Sequence, residues 1–166
     1  MKNWKEIIFS EKDKYSFKPE VQIILFGLLV CLASLVVTDV SFFGHKTTAI
    51  FDIWTLVHVA TGAVLGYFAI IMRGMKFHHP IMLLLLISFG WEIAEHYIEL
   101  SNLPYLSEWF GGQESIENRL IADQIAVVLG FFLIKWNPKF LPVALFIAVG
   151  ILAVHIGLGD SMYFFK

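Results

Sequence analysis

The chain has 166 residues, 58% hydrophobic and 16% charged, with a mean hydropathy of +0.73; an average soluble domain is about 45–50% apolar and about 25% charged. Twelve Lys+Arg against 14 Asp+Glu leave a formal net charge of −2 and no basic tract, which argues against nucleic acid as a partner. The apolar excess excludes intrinsic disorder, and a lone Cys31 excludes a disulfide framework.

What remains is an integral membrane protein, because a soluble fold of this size would have to expose much of its apolar surface, sixteen Phe included. The expected fold class is all-α: a polytopic transmembrane helix bundle of five spans. Residues 1–19 form a cytoplasmic tail or short interfacial segment, and 20–166 a single bundle domain. In the tail, Lys alternates with acidic residues, and Trp4, Ile7 and Ile8 suit a membrane surface.

A span needs about 20 mainly apolar residues. The first, 21–37, carries no charge, and Cys31 with Gly27 and Ser34 reads as helix packing. About 20 polar residues precede it and no small-residue cleavage site follows, so it is not a cleaved signal peptide. The second, 50–72, is interrupted by Asp52 and His58. The third, 80–100, is apolar to Gly90 and then polar through Trp91-Glu92-Ile93-Ala94-Glu95-His96. The fourth, 118–136, begins with Asn118, Arg119 and Asp123, and the fifth, 140–158, carries His155 late.

Orientation follows from the Lys/Arg bias of short loops. Lys2, Lys5, Lys12, Lys14 and Lys18, then Arg73 and Lys76, then Lys135 and Lys139 fall on one side. Only Lys46, Arg119 and Lys166 fall on the other. Five spans therefore place the N-terminus in the cytoplasm and the C-terminus outside a plasma membrane. His78-His79, beside Arg73 and Lys76, then suits lipid headgroups.

At about 1.5 Å per helical residue, the intramembrane polar groups sort to one depth. His58 lies roughly 12 Å below the outer start of its span, Glu92 roughly 12 Å before the outer end of its own, and Asp123 roughly 7 Å down. Glu92, Glu95, His96 and Glu99 have the i, i+3, i+4, i+7 spacing of one stripe. Gly62 and Gly66 share a stripe with His58 and permit close helix approach, as do Ala126 and Gly130 on the fourth span. Arg119 and Asp123 stand one turn apart, placed to pair. Ionisable groups inside a membrane usually face the bundle interior or a water-filled cavity. The pattern thus predicts an outward-open pocket lined by His58, Glu92, Glu95, His96, Arg119 and Asp123, with the loop 101–117 as a lid hinged at Gly111-Gly112 or as an interfacial connector.

Three stretches read together: Phe-Asp-Ile-Trp-Thr-Leu-Val-His-Val-Ala-Thr-Gly (51–62), Phe-Gly-Trp-Glu-Ile-Ala-Glu-His (89–96), and Glu-Ser-Ile-Glu-Asn-Arg-Leu-Ile-Ala-Asp (114–123), with Gly-Phe following at 130–131. Over this half of the chain it resembles the VanZ-like group of small polytopic membrane proteins and its uncharacterised relatives. It departs from that pattern at Ala94-Glu95-His96, where a Gln often follows the Glu. The resemblance implies a membrane protein of the cell envelope.

His58, Glu92 and Asp123 are the candidate catalytic residues, with Glu92 as proton-bearing acid and His58 as base. Asp52, Glu95, Asn118 and Arg119 are candidate substrate contacts, the Arg suited to an anionic headgroup. His58, Glu92, His96 and Asp123 are N/O donors that suit a divalent transition metal, zinc, manganese or iron, although neither H-E-x-x-H nor the E-x-x-H of di-iron bundles is present. The expected partners are membrane lipids and a lipid-linked small molecule, with hydrolysis or transfer as the reaction. Binding or transport without catalysis, and buried ion pairs that only fix helix register, are the alternatives. Polar residues are nearly lacking from the inner half, which argues against a through-path.

Overall fold

A computed structural model describes residues 18–38, 40–72, 78–100 and 113–158. The expected tail segment with Trp4, Ile7 and Ile8, the loop charges Arg73 and Lys76, and the lid residues 101–112 lie outside the described residues, as do the side chains of His78 and His79. The chain is mostly helical, in agreement with the all-α expectation. Its elements are α1 (Lys18–Val37), β1 (Ser41–Phe43), β2 (Ala49–Phe51), α2 (Trp54–Tyr67), α3 (His78–Leu100), α4 (Asp123–Trp136) and α5 (Leu141–Leu158). A π-helical turn, Phe68–Met72, prolongs α2, and another, Asn118–Ala122, precedes α4.

Local chemistry sets the element starts. Pro19 stands in the first turn of α1, where a missing N–H costs nothing. Pro80 falls in the first turn of α3 for the same reason. Asn137 Oδ1 accepts from the Lys139 N–H at 3.1 Å, and Pro138 then opens the 3-10 turn that leads into α5.

The start of the second helix differs from the sequence expectation. Ile50 and Phe51 belong to β2, which pairs in parallel with β1 in the register Ser41–Ala49 and Phe43–Phe51. The helix begins only after Asp52. The Asp52 N–H donates to Thr55 Oγ1 at 3.2 Å, and the Thr55 N–H donates back to Asp52 Oδ1 at 3.1 Å. This is the reciprocal exchange of a capping box, which satisfies two helix-end groups at once.

α4 forms the centre, with nearly every residue from Asp123 to Lys135 buried. Its closest partner is α2. A Cβ on Gly62 would run into the Val127 carbonyl, and one on Gly130 into the Val59 carbonyl, so the two backbones touch at reciprocal points. Small residues at a helix interface allow this approach. Gly66 continues the seam against Phe131. Around it α1 adds Cys31 against Ile50, Ala122 and Ile125, and α3 adds Ile81 and Leu84 against Val127, Val128 and Phe131. α5 places Ala144 beside Ala60, Ala63 and Ile134.

Among the described residues, two helices, Pro80–Leu100 and Pro138–Leu158, are long and apolar enough to cross a membrane; Gln22–Val37 and Trp54–Ile70 are shorter apolar helices.

Candidate functional site

The Gly seam fixes how α2 and α4 face one another, α3 packs on α4 through Ile81 and Leu84, and together they set the polar residues at one end of the bundle. His58 projects from α2, Glu92 from α3 and Asp123 from the first turn of α4. His58 Nε2 lies 3.7 Å from Glu92 Oε1 and 3.6 Å from Asp123 Oδ2. One ligand-type atom from each of the three falls within 4.8 Å of the others. Glu92 and Asp123 are buried, 1% and 0% exposed, and His58 is partly buried. Among the described residues, neither oxygen of either carboxylate receives a hydrogen bond.

Toward the end of the bundle, one turn or two beyond the trio, lies a network of short ion pairs. Lys46 Nζ donates to Glu99 Oε1 at 2.8 Å and sits 3.9 Å from Glu95 Oε1. Arg119 donates through one terminal nitrogen to Glu99 Oε2. Its Nε lies 3.5 Å from Glu114 Oε2 and 3.8 Å from Glu92 Oε2. Glu99 is therefore a bridge that holds Lys46 on one oxygen and Arg119 on the other. The segment from Glu114 is stitched into the same place. The Glu114 N–H donates to Glu99 Oε2, the Ser115 N–H to the Lys46 carbonyl, and Ser115 Oγ to the Ala49 carbonyl. Burial and the negative charges of Glu95 and Asp52 push the Glu114 carboxyl up to about 8, against the pull of Lys46 and Arg119.

Beside the trio opens a cavity of about 430 Å³ between α2, α3 and α5. Lys46, His58, Glu95 and Glu114 line one end, and Leu65 and Leu84 the other. Trp54 to Leu65 on α2 and Leu84 to Glu95 on α3 each span eleven residues, about 16 Å of helix axis. The cavity thus runs from a charged mouth along two helices into an apolar arm. Trp54 meets His155 edge-on at its side, with ring centroids 4.9 Å apart.

Several expected site residues fall elsewhere. The predicted Arg119–Asp123 pair is not formed. A helical side chain leans toward the N-terminus of its helix, so Arg119 reaches up to Glu99 and Glu114, while Asp123 turns to His58. The π turn between them leaves the Arg119 carbonyl to the Gln124 side-chain amide, which donates to it at 3.4 Å. His96 is half-buried and joins neither the trio nor the ion-pair network. At about 100° per residue it lies to one side of the stripe on which Glu92, Glu95 and Glu99 face inward. Asp52 is occupied with the start of α2. Asn118 is buried at the π turn, its N–H donating to Ser115 Oγ at 3.1 Å. Neither lines the cavity.

Lys46 is the functional residue that sequence reasoning missed. The sequence shows it only as a loop charge, yet it is 1% exposed and lines the charged end of the cavity. Charge arithmetic held the signal. Among the described residues, six carboxyls (Asp52, Glu92, Glu95, Glu99, Glu114 and Asp123) gather at this end, and Lys46 and Arg119 are the Lys and Arg side chains that ion-pair with them.

No protein-family model, curated protein or solved structure matches the chain. Its chemistry is therefore argued from the site itself.

Proposed function

We propose that the chain is an integral membrane protein of the cell envelope, similar to the VanZ-like group, whose pocket binds the head of a lipid or lipid-linked molecule and acts on it by hydrolysis or transfer. The five helices form five spans, with the N-terminus cytoplasmic, the C-terminus outside and the pocket mouth in the outer half of the membrane. The apolar outside of the bundle supports the membrane reading. Phe26 is 69% exposed, Leu86 70% and Phe146 80%, a pattern that hydrocarbon accepts and water does not.

The one-ended polarity of the cavity carries the substrate reading. A water-soluble metabolite has no use for an apolar arm, which from His58 to Leu65 runs about 10 Å of helix axis, whereas an amphiphile places its hydrocarbon against Val57, Leu65, Leu84 and Ile87 and its head against His58, Glu95, Lys46 and Glu114. At the head, His58, Glu92 and Asp123 stand ready to exchange a proton or to activate water.

The test is to fill the arm. Leu65→Trp should leave the charged mouth intact and exclude the chain. Mass spectrometry of lipids retained by the detergent-purified protein should find an amphiphile near one per chain in wild type and several-fold less in Leu65→Trp. Phospholipid and polyprenyl-phosphate vesicles are the substrates to assay for turnover. Equal retention by both proteins, or none by wild type, would refute the amphiphile slot.

A further inference from the structure

We propose that His58, Glu92 and Asp123 form a binding site for one divalent transition-metal ion of the zinc, manganese or iron class, held between α2, α3 and α4 and reached from the cavity. This goes beyond the amphiphile reading and does not depend on it.

The distances are the first argument. In a tetrahedral zinc site, metal–nitrogen and metal–oxygen bonds of about 2.0–2.2 Å put neighbouring donor atoms about 3.4 Å apart. His58 Nε2 stands 3.7 and 3.6 Å from its two carboxylate oxygens, too long for good hydrogen bonds and within a few tenths of an ångström of a coordination edge. The three donors come from three helices: α2 and α4 are locked by the Gly62 and Gly130 contacts, and α3 packs on α4 through Ile81 and Leu84.

The second argument is independent of those distances. Glu92 and Asp123 are almost fully buried, and none of their four oxygens receives a hydrogen bond among the described residues. Buried carboxylates are ordinarily paired, hydrogen-bonded or bound to a metal. The nearby cations make their short contacts elsewhere, Lys46 to Glu99, and Arg119 to Glu99 and Glu114; Arg119 meets Glu92 only as a 3.8 Å ion pair without a hydrogen bond. Among the described residues, neither Lys46 nor Arg119 donates a hydrogen bond to Glu92 or Asp123, and a divalent ion would supply positive charge where those oxygens receive none. One imidazole and two carboxylates are a hard-to-borderline donor set, which suits Zn2+, Mn2+ or Fe2+ and disfavours soft ions. His58 also forms part of the cavity wall, so a coordination position left for water or a substrate oxygen is open to the pocket.

The experiment uses the full chain, purified in detergent, stripped with chelator and titrated with Zn2+ and Mn2+ by calorimetry. Loading with Co2+ gives a visible spectrum that reports coordination. One equivalent per chain should bind in wild type, with Co2+ bands typical of nitrogen and oxygen ligation. His58→Gln, Glu92→Gln and Asp123→Asn should each weaken binding at least tenfold, while His96→Gln leaves it unchanged. Should a variant melt early, the wild-type stoichiometry and Co2+ spectrum decide alone. No stoichiometric binding of either ion to folded wild type, or a tight site that survives all three substitutions, would overturn the proposal. Retained lipid is measured on the same samples. Amphiphile without metal overturns only the metal site, and metal without amphiphile only the proposed function.

Discussion

The bridge at Glu99 makes a prediction about coupling that a list of ion pairs would miss. Breaking a buried pair by deleting one partner costs about 3–5 kcal/mol, because the other charge is left uncompensated. Lys46 and Arg119 do not each own a carboxylate; they share one, Lys46 on Oε1 and Arg119 on Oε2. Lys46→Met leaves Glu99 with Arg119, and Arg119→Gln leaves it with Lys46 and with the Glu114 N–H at 3.3 Å. Each single change should therefore fall at the low end, about 3 kcal/mol. Glu99→Gln strips both cations of their shortest contact and leaves only partners at 3.5–3.9 Å, so it belongs at the high end, about 5 kcal/mol. The double variant Lys46→Met/Arg119→Gln removes both of Glu99's cations at once. Its cost should exceed the sum of the singles by roughly 0.5–3 kcal/mol, the range for directly coupled residues. Adding Glu99→Leu to the double removes the stranded charge and should recover much of the loss. Equilibrium unfolding in mixed micelles measures all five proteins. Strict additivity of the double, or a Glu99→Gln variant more stable than Arg119→Gln, would refute the shared-carboxylate account.

Two further outcomes follow from the seam and the mouth. Gly130→Ala drives a methyl into the Val59 carbonyl, where backbone rather than a flexible side chain must give way; it should cost at least the roughly 1–3 kcal/mol of an overpacked core, and a thermal midpoint equal to wild type would mean that α2 and α4 separate more easily than drawn. Glu114 gives a pH dependence. Its carboxyl is raised in the folded protein to about 8, so its contribution to stability is full below the ordinary carboxyl range and is lost as the pH climbs through about 8. Glu114→Gln should match wild type in acid and become the more stable protein above that pH, and a difference between the two melting points that does not change with pH would contradict the burial of this group.

Helix placement was legible in the sequence because length and hydropathy set it, and four of the five expected spans agree with the helices, with the turns that extend them, to within a few residues. The exception, Ile50 and Phe51, reads as apolar continuation by composition. It was Asp52 with Thr55 three positions later that marked the true start, a capping signal outweighed by the run of hydrophobics around it. The trio was legible for a different reason. Depth along a helix is linear in residue number, so His58, Glu92 and Asp123 could be matched across helices before any packing was known. Direction is not linear in the same way. Arg119 and Asp123 share a face at one-turn spacing, but the long Arg119 side chain reaches a turn toward the helix N-terminus, to Glu99 and Glu114, while the short Asp123 side chain ends beside His58. The pair was therefore predicted to close and instead opens toward two separate sites. Lys46 was invisible to both lines of reasoning, since it lies on neither a span nor a stripe. It sits on a five-residue connection between two strands of three residues, elements too short to leave a period. The residues matched by depth form the proposed chemical trio, while Lys46 and Arg119 are tied to Glu99 one turn or two beyond it. Ion pairs at a mouth can be exchanged for others of the same reach, whereas three donors on locked helices cannot be moved independently. The trio is accordingly where substitution should abolish function, and the mouth is where it should first cost stability.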